Sequence, residues 1–402
     1  MKTETEQIPT SNRQTLKANL VADRMNNVEE YYFSRKLRQI DEMNKAGKNV
    51  INLGIGSPDL PPHPDVIKTL ADEASKPNNH GYQNYKGHPV LRKAIADWYK
   101  KWYQVTLDAD TEILPLIGSK EGIMHICMTY INPGDVVLVP DPGYPTYRSA
   151  AIIAGANVKA YTLEKEKNWF PDFEELEKDD LSDVKLMFVN YPQMPTGQLP
   201  TKEMFGSLIA FAKKHGILIV HDNPYSFILN DEPVSLLAFE GAKEVVIELN
   251  SLSKSHNMAG WRIGFLSGAK ERINEVLRFK SNMDSGMFLP MQLAAAKALT
   301  LGEEWHKSVN SIYSRRREKV FELLNEINCV YDKNQAGLFV WAEVPASNTD
   351  GFQLSDHVLN DSNVFITPGG IFGNAGNNYV RISLCTSEEN IILAIKRIKN
   401  IK

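Results

Sequence analysis

A lysine surrounded by phosphate-binding residue types stands out at residues 250–264, which read NSLSKSHNMAGWRIG. Lys254 lies a few residues beyond the apolar, β-branched run EVVIEL, which predicts a strand, and strand ends are where a sheet delivers side chains to a crevice. Ser251, Ser253 and Arg262 add two hydroxyls and a guanidinium, which together can bind a phosphate. A lysine amine beside a phosphate site indicates a ligand that carries both an aldehyde and a phosphate. The alternative is a plain loop with a solvated lysine and a surface arginine.

Pyridoxal 5′-phosphate fits these residues because its aldehyde condenses with a lysine amine while its phosphate anchors it. The spacing resembles the S-x-S-K signature, followed by G-x-R-x-G, of the class I/II aminotransferases of fold type I. Residues 251–264 match that signature at every defined position. Further blocks follow in family order over about residues 50–390. The resemblance implies a pyridoxal-phosphate-dependent enzyme in which Lys254 holds the cofactor.

A second anion site is indicated at the start of a predicted helix. Gly118 allows close approach of a ligand to the backbone, and Ser119 can cap the helix that runs on through Tyr130. A helix N-terminus presents unpaired N–H groups to an anion, so we count Gly118, Ser119 and Lys120 as cofactor-binding candidates. An ordinary capped helix is the alternative.

Residues that could hold the cofactor ring follow three predicted strands. Asp222 comes directly after an apolar run, and a buried carboxylate needs a cationic partner such as a protonated pyridine nitrogen, which makes the ring an electron sink. Capping a turn is its alternative. By resemblance, Tyr144 stacks on the ring and Tyr225 binds the ring oxygen, whereas Met194 replaces the second asparagine of N-x-P-x-N-P-T-G and has no hydrogen to donate. Three alternatives remain open at that position. Asn190 or an ordered water supplies the missing hydrogen bond, or the thioether only packs against the ring edge.

Other family blocks indicate the substrate and a second subunit. Gly56 lies in a G-x-P-D segment and Arg381 in an R-I-S segment, and the resemblance implies that both bind the substrate α-carboxylate. Tyr82 matches a tyrosine that reaches the cofactor phosphate of a partner, with Tyr85 as a nearby competitor. A homodimer with shared active sites is therefore expected. A turn, a surface arginine and a packed tyrosine are the structural alternatives.

Short apolar runs alternate with helical segments between residues 135 and 266. Such alternation predicts an α/β fold with a mainly parallel central sheet that is covered by helices on both faces. Helical patterns at 270–299 and 303–325, with a strand near 337–341, indicate a smaller α/β domain. The strands of the large sheet are predicted at 136–139, 158–161, 186–190, 218–221, 245–249 and 263–266.

The resemblance to fold type I transferases implies three parts of the chain. A large cofactor-binding domain covers residues 65–295, and a small domain combines 31–64 with 296–402. Residues 1–30 are polar without a period, so they are expected to be a tail or an arm laid on another subunit.

Composition excludes several classes of protein. With 402 residues, 43% hydrophobic and 23% charged, the chain can bury a large core, and a net charge of −4 gives no sign of nucleic-acid binding. Three cysteines without C-x-x-C spacing are typical of a reduced, cytoplasmic protein, and no apolar run is long enough for a signal peptide or membrane span. Nine histidines show no metal-ligand spacing, so no metal site is predicted.

The combined motifs predict an aminotransferase that moves the α-amino group of an amino acid to a 2-oxo acid, with 2-oxoglutarate as the expected acceptor. Lys254 is the expected proton carrier, and Asp222 and Tyr225 are expected to tune the ring electronically. A β- or γ-eliminating lyase with the same anchors is the first alternative, and a pyridoxal-sensing regulator is the second. No residue in the sequence identifies the donor amino acid.

Overall fold

The computed structural model describes residues 21–28, 30 and 32–400. Most of the predicted N-terminal arm or tail over residues 1–30 lies outside the described residues. The strands are β1 (Ile51–Asn52), β2 (Ile113–Leu116), β3 (Val136–Asp141), β4 (Asn157–Thr162), β5 (Val184–Val189), β6 (Leu218–Asp222), β7 (Val246–Ser251), β8 (Gly264–Gly268), β9 (Val330–Tyr331), β10 (Phe339–Glu343), β11 (Val364–Phe365), β12 (Thr367–Pro368) and β13 (Tyr379–Ser383).

Helices separate most of these strands, as an α/β fold requires. They are α1 (Tyr32–Lys45), α2 (Pro64–Ala74), α3 (Pro89–Tyr103), α4 (Ser119–Tyr130), α5 (Pro145–Ala154), α6 (Phe173–Leu176), α7 (Lys202–His215), α8 (Ala242–Val245), α9 (Leu252–Ser255), α10 (Lys270–Lys280), α11 (Leu289–Leu299), α12 (Glu303–Glu326), α13 (Gly351–Ser362) and α14 (Glu388–Lys399).

Within the described part of the chain, the large sheet has seven strands in the order β2-β8-β7-β6-β5-β3-β4. Strand β8 runs antiparallel to both of its neighbours, and the other neighbouring pairs are parallel. The prediction of a mainly parallel α/β sheet is therefore confirmed. Side chains along β5 alternate between two apolar cores, with Leu186 and Phe188 in one and Met187 and Val189 in the other. This period of two is expected for a strand that is buried on both faces.

Helices cover both faces of that sheet. On one face α4, α5 and α10 contribute to the core, and on the other α3, α7 and α11 do so. Thr201 starts α7 by accepting a hydrogen bond from the backbone of Met204, and Gly216 ends it in a left-handed conformation. The carboxyl ends of β3, β5, β6 and β7 are left open at one edge, where loops can carry a site.

A smaller sheet in the C-terminal part has the order β12-β13-β10-β9, and its pairs are antiparallel. Helices α12 and α14 pack on it around a separate core. Strand β1 pairs in parallel with β11, so residues 51–52 lie beside residues 364–365. A large sheet with a smaller α/β unit is thus confirmed, while the boundaries after residues 64 and 295 stay a prediction.

Two features differ from the sequence prediction. Strand β2 was not predicted because Pro115 interrupts its apolar run; β2 lies at an edge of the sheet, where proline is tolerated. The single helix predicted at 270–299 is wrong, since residues 281–288 separate α10 from α11. Gly286 has a φ of +79° there, and Pro290 in the first turn of α11 begins a new helix.

Among the described residues, none of the helices combines the length and apolar character needed to cross a bilayer.

Candidate active site

Strand ends and loops from both sheets enclose a cavity of about 580 Å³. Its lining contains a large majority of the site residues predicted from sequence. These are Gly56, Ser119, Lys120, Tyr144, Asn190, Asp222, Tyr225, Ser251, Ser253, Lys254, Arg262 and Arg381.

Two predicted residues lie outside the cavity lining. Gly118 lies next to the lining residue Arg262, because a Cβ at position 118 would meet the Arg262 guanidinium. Tyr82 is 95% exposed, while the neighbouring Tyr85 is 44% exposed. The assignment of Tyr82 to a partner's phosphate stays a prediction, and within its own chain Tyr82 does not contribute to the lining.

Lys254 projects into the cavity from a short helix at the end of β7. Ser251 caps this helix, since its Oγ accepts a hydrogen bond from the backbone N–H of Ser253 at 3.1 Å. The Lys254 Nζ donates to the carbonyl of Gly56 at 2.5 Å. Burial lowers the pKa of Lys254, and the positive charges of Arg381 and Arg262 act in the same direction. A lysine with a lowered pKa loses its proton more readily and can then act as a nucleophile or a base.

The predicted phosphate site, called the phosphate cradle below, lies at the start of α4 and combines residues 118–120 with Arg262. Gly118 precedes the helix with a φ of +85°, which a residue with a side chain would adopt only with strain. A Cβ on Gly264 would meet the backbone of Gly118 and Ser119, so this glycine allows β8 to pack against the loop. Arg262 is held across the loop by donating Nη1 to the carbonyl of Ala259 at 2.9 Å. Backbone N–H groups and a guanidinium thus face one position, as an anion site requires.

Asp222 ends β6, and its two carboxylate oxygens have different surroundings. Its Oδ2 accepts a hydrogen bond from the hydroxyl of Tyr147 at 2.8 Å, whereas the buried Oδ1 accepts none from the residues that the structure describes. Burial raises the pKa of Asp222 to about 6, against smaller lowering effects from Tyr147, His221 and Lys254. A buried acceptor without a donor is costly, so this oxygen calls for a cationic N–H.

Tyr147 was missed by the sequence analysis. It lies in the first turn of α5, three residues beyond Tyr144, which directly precedes the helix, and its ring stacks on Phe188 with centroids 4.8 Å apart. The spacing of three residues at the start of a predicted helix was the available signal.

Met194 contacts the arginine expected to bind the substrate. Its Sδ is 3.3 Å from Nη1 of Arg381, and its backbone N–H donates to Oδ1 of Asn190 at 2.8 Å. Asn190 in turn donates Nδ2 to the backbone carbonyl of Asp222 at 2.5 Å. Met194 therefore accepts from the guanidinium through its thioether, and the Asn190 amide links the loop after β5 to the end of β6.

Arg381 lies between two aromatic rings. Its guanidinium carbon is 3.7 Å from the ring centroid of Phe339 and 4.5 Å from that of Phe372. Nη2 donates to the carbonyl of Gly54 at 2.9 Å. A Cβ on Gly56 would meet the ring of Phe339, so the glycine lets this loop pass close to the guanidinium. The two phenylalanines were also missed by the sequence analysis, since aromatic residues on strands and turns usually indicate packing.

The arrangement of these residues in the structure fits pyridoxal phosphate. The buried Oδ1 of Asp222 can accept from a pyridinium N–H, the cradle at Gly118 and Arg262 can bind the phosphate, and the Lys254 amine can meet the aldehyde. When bound, this cofactor supplies an electron sink for the charge that develops at the substrate Cα.

Comparisons with a family model, with related sequences and with solved structures agree on one family. The family model "Aminotransferase class I and II" matches residues 48–398. The chain is 42% identical over 381 residues to an LL-diaminopimelate aminotransferase of Halothermothrix orenii, which covers 94% of this chain and 98% of that protein. It is also 42% identical over 384 residues to an LL-diaminopimelate aminotransferase of Dehalococcoides mccartyi, which covers 95% and 99% of the two chains.

Among solved structures, apo-BacF from Bacillus subtilis is similar with a TM-score of 0.91 and 37% identity, and the alignment covers 95% of this chain and 98% of that one. None of these relatives supports the lyase alternative. The chain therefore belongs to the class I and II aminotransferases, and it is a pyridoxal-phosphate-dependent enzyme of that family.

Proposed function

We propose that this aminotransferase takes LL-diaminopimelate as its amino donor and 2-oxoglutarate as its acceptor. The observation that carries the proposal is the identity of 42% with proteins named LL-diaminopimelate aminotransferase, over nearly the whole of both chains. This donor has an amino acid group at each end of a seven-carbon chain. Its site must therefore accept a second carboxylate in addition to the one at the reacting end.

The charges of the cavity are consistent with such a donor. Four cationic side chains belong to the lining, namely Lys120, Lys254, Arg262 and Arg381. In our proposal Lys254 meets the aldehyde, Arg262 the phosphate and Arg381 the reacting carboxylate. Lys120, beside the phosphate cradle, adds a further positive charge that can offset a distal carboxylate.

An apolar part of the lining supports a second candidate, an aromatic donor. Phe33, Phe339 and Phe372 line the cavity together with Ile55 and Leu37. Such a surface favours a ring over a charged end group.

We assign the chemistry to the chain's own residues as follows. The Lys254 amine, with its pKa lowered by burial, can take the proton from the substrate Cα and release it again as a general acid. With the cofactor bound, Asp222 would keep the ring nitrogen protonated through its Oδ1, and Tyr225 would donate to the ring oxygen. Arg381 and Gly56 would hold the substrate carboxylate and so orient the Cα–H bond.

We also propose a homodimer in which a second copy covers the face around Tyr82. Exposed apolar side chains gather there, because the loop of residues 80–87 lies against residues 281–288: the His80 and Phe288 rings are 5.7 Å apart. Tyr82, Met283 and Phe288 are 95%, 52% and 43% exposed, respectively. An apolar surface of this kind is typical of an interface.

We propose the cytoplasm as its location. Cys127, Cys329 and Cys385 are free thiols, and burial raises the pKa of each, as expected of unreactive cysteines in a reducing compartment.

A donor panel tests the proposed substrate. Purified holoenzyme is assayed with 2-oxoglutarate and LL-diaminopimelate, glutamate, lysine or phenylalanine, and kcat/KM is compared. We expect LL-diaminopimelate to exceed phenylalanine by at least about 100-fold, which is the scale of one polar recognition contact in a buried site. Lys120→Met should reduce kcat/KM for LL-diaminopimelate more than for phenylalanine. A higher kcat/KM for phenylalanine would overturn the proposal in favour of the aromatic donor.

A further inference from the structure

A charged network is buried behind the strand that carries Asp222. His221 precedes Asp222 on β6, so its side chain points to the opposite face of the sheet. His221 Nδ1 is 2.8 Å from Oε2 of Glu248, its partner on the neighbouring strand β7. The other ring nitrogen, Nε2, is 3.1 Å from the carbonyl oxygen of Tyr191. Both charged side chains are fully buried.

The hydrogen-bond partners fix the protonation states. A carbonyl oxygen can only accept, so Nε2 of His221 must carry a hydrogen. Glu248 receives hydrogen bonds from the Tyr99 hydroxyl at 2.8 Å, from the Ser235 hydroxyl at 2.8 Å and from the backbone N–H of Leu236 at 3.0 Å. These donors stabilise the ionised form of the carboxylate, and an ionised Glu248 accepts a hydrogen bond from Nδ1 of His221. The geometry therefore favours an imidazolium at His221 and a carboxylate at Glu248.

The positive member of this pair is the one that acts on Asp222, whose pKa it lowers. His221 is its covalent neighbour, whereas Glu248 is on the next strand opposite His221. The other groups that influence Asp222 are Lys254 from α9, Tyr147 from α5, Tyr144 just before α5, and Tyr225 from the loop after β6. Tyrosines at these positions are neutral, because burial raises the pKa of each. Once Lys254 is joined to the cofactor, His221 is the remaining cationic neighbour among those named.

We propose that His221 is a positioning residue of the cofactor site, an imidazolium that keeps Asp222 ionised and thereby keeps the proton on the cofactor ring nitrogen. This inference rests on the proposed pairing of Asp222 with that nitrogen. His221 does not touch the cavity, so it acts only through its charge. Glu248 holds the imidazolium in its charged form.

The pH dependence of cofactor affinity tests the proposal. The dissociation constant of pyridoxal phosphate is measured from pH 5 to pH 9 for wild type, His221→Gln and Tyr99→Phe. Glutamine keeps a donor but has no charge. We expect the loss of affinity at acidic pH to begin about one pH unit higher in His221→Gln, which is the scale of a single nearby charge on a buried carboxylate. The titration of free cofactor is common to the variants and cancels in the comparison.

Tyr99→Phe is the matched control, since it removes one hydrogen bond to Glu248 and leaves the imidazolium in place. In Tyr99→Phe, the loss of cofactor affinity at acidic pH should begin at the same pH as in wild type. The proposal would be overturned if this pH were unchanged in His221→Gln. It would also be overturned if this pH shifted equally in both variants, because packing rather than charge would then account for the result.

Asp222→Asn separates this inference from the proposed function. If Asp222→Asn binds the cofactor as wild type does, the pairing of Asp222 with the ring nitrogen fails. If Asp222→Asn binds weakly and His221→Gln is unshifted, only the inference about His221 fails.

A measurement on the wild-type holoenzyme covers the case in which His221→Gln does not fold. In ¹⁵N spectra of histidine-labelled protein, an imidazolium signal should persist at pH 9, where ordinary histidines are neutral. That signal should disappear in Glu248→Gln. Absence of any imidazolium at pH 9, or its persistence in Glu248→Gln, would refute a charge held by this carboxylate.

Discussion

Asp222 should destabilise the apo protein at neutral pH, and Asp222→Asn should relieve that cost. Burial raises the pKa of Asp222 from 3.8 to about 6, so between these values the folded protein holds a proton that the unfolded chain has released. The free energy of unfolding therefore falls as pH rises from 3.8 through 6, and the whole cost is present above pH 6. The difference of the two pKa values corresponds to about 3 kcal/mol.

The asparagine variant removes this pH dependence. Any cost of burying the asparagine amide is the same at every pH. Only the change with pH of the difference in unfolding free energy between variant and wild type is therefore informative. The free energy of unfolding of Asp222→Asn, relative to wild type, should rise by roughly 1.5 kcal/mol from pH 5 to pH 8, since about half of the full effect falls in that range.

Urea unfolding of the apo proteins at one fixed protein concentration provides the measurement. Asp231→Asn changes an exposed carboxylate and should give no such slope. With the cofactor bound, the slope should also disappear from the wild-type comparison, because a cationic partner then offsets the buried charge. A difference between Asp222→Asn and wild type that stays constant or falls from pH 5 to pH 8 would refute the reasoning.

Three further predictions concern the cofactor and the dimer. Borohydride reduction of the yellow holoenzyme should fix the cofactor to Lys254, and Lys254→Ala should still bind it while transamination falls by at least about 10² to 10⁴; peptide mapping that finds another modified lysine would contradict this assignment. Mixed Tyr82→Phe and Lys254→Ala subunits should recover about a quarter of wild-type activity, because half of the dimers then contain one intact site; a fully active monomer in sedimentation would exclude sharing. Met194→Asn should lower the midpoint of the spectroscopic pH titration of bound cofactor by roughly one unit, because the amide can donate to the ring oxygen while accepting from Arg381. Met194→Leu, whose side chain has no hydrogen-bond donor, is the control for Met194→Asn. Equal titration midpoints in the two variants would show that residue 194 does not tune the cofactor.

The chemistry that depends on local spacing could be predicted from the sequence. Lys254 and Arg262 lie on the short connection between β7 and β8, and Ser119 follows the glycine that its helix start requires, so fixed separations along the chain place them together. Asp222 could be predicted for a related reason, since parallel strands bring their carboxyl ends to one edge. In each case the backbone geometry is short-range or repeated.

Contacts between distant side chains could not be predicted in the same way. The hydroxyl of Tyr147 reaches Asp222 across 75 positions of the chain, and nothing in a tyrosine on a helix distinguishes this contact from ordinary packing. Met194 is a second example. Its side chain alone shows that it cannot donate a hydrogen bond, but its contact with Arg381, 187 positions away, depends on how the two sheets meet.

The pairing of β1 with β11 has a consequence for the order in which the nascent chain can fold. The loop after β1 is held from the far end of the chain: Thr367 donates its hydroxyl to the carbonyl of Gly54 at 3.0 Å across 313 positions, and Arg381 donates to the same oxygen across 327 positions. The phosphate cradle and the lysine, by contrast, belong to a sheet whose last strand ends at Gly268. During synthesis the cofactor half of the proposed active site therefore has all of its strands before the loop after β1 has its partner strand. We expect a chain arrested before residue 364 to form the cofactor side without the proposed carboxylate pocket.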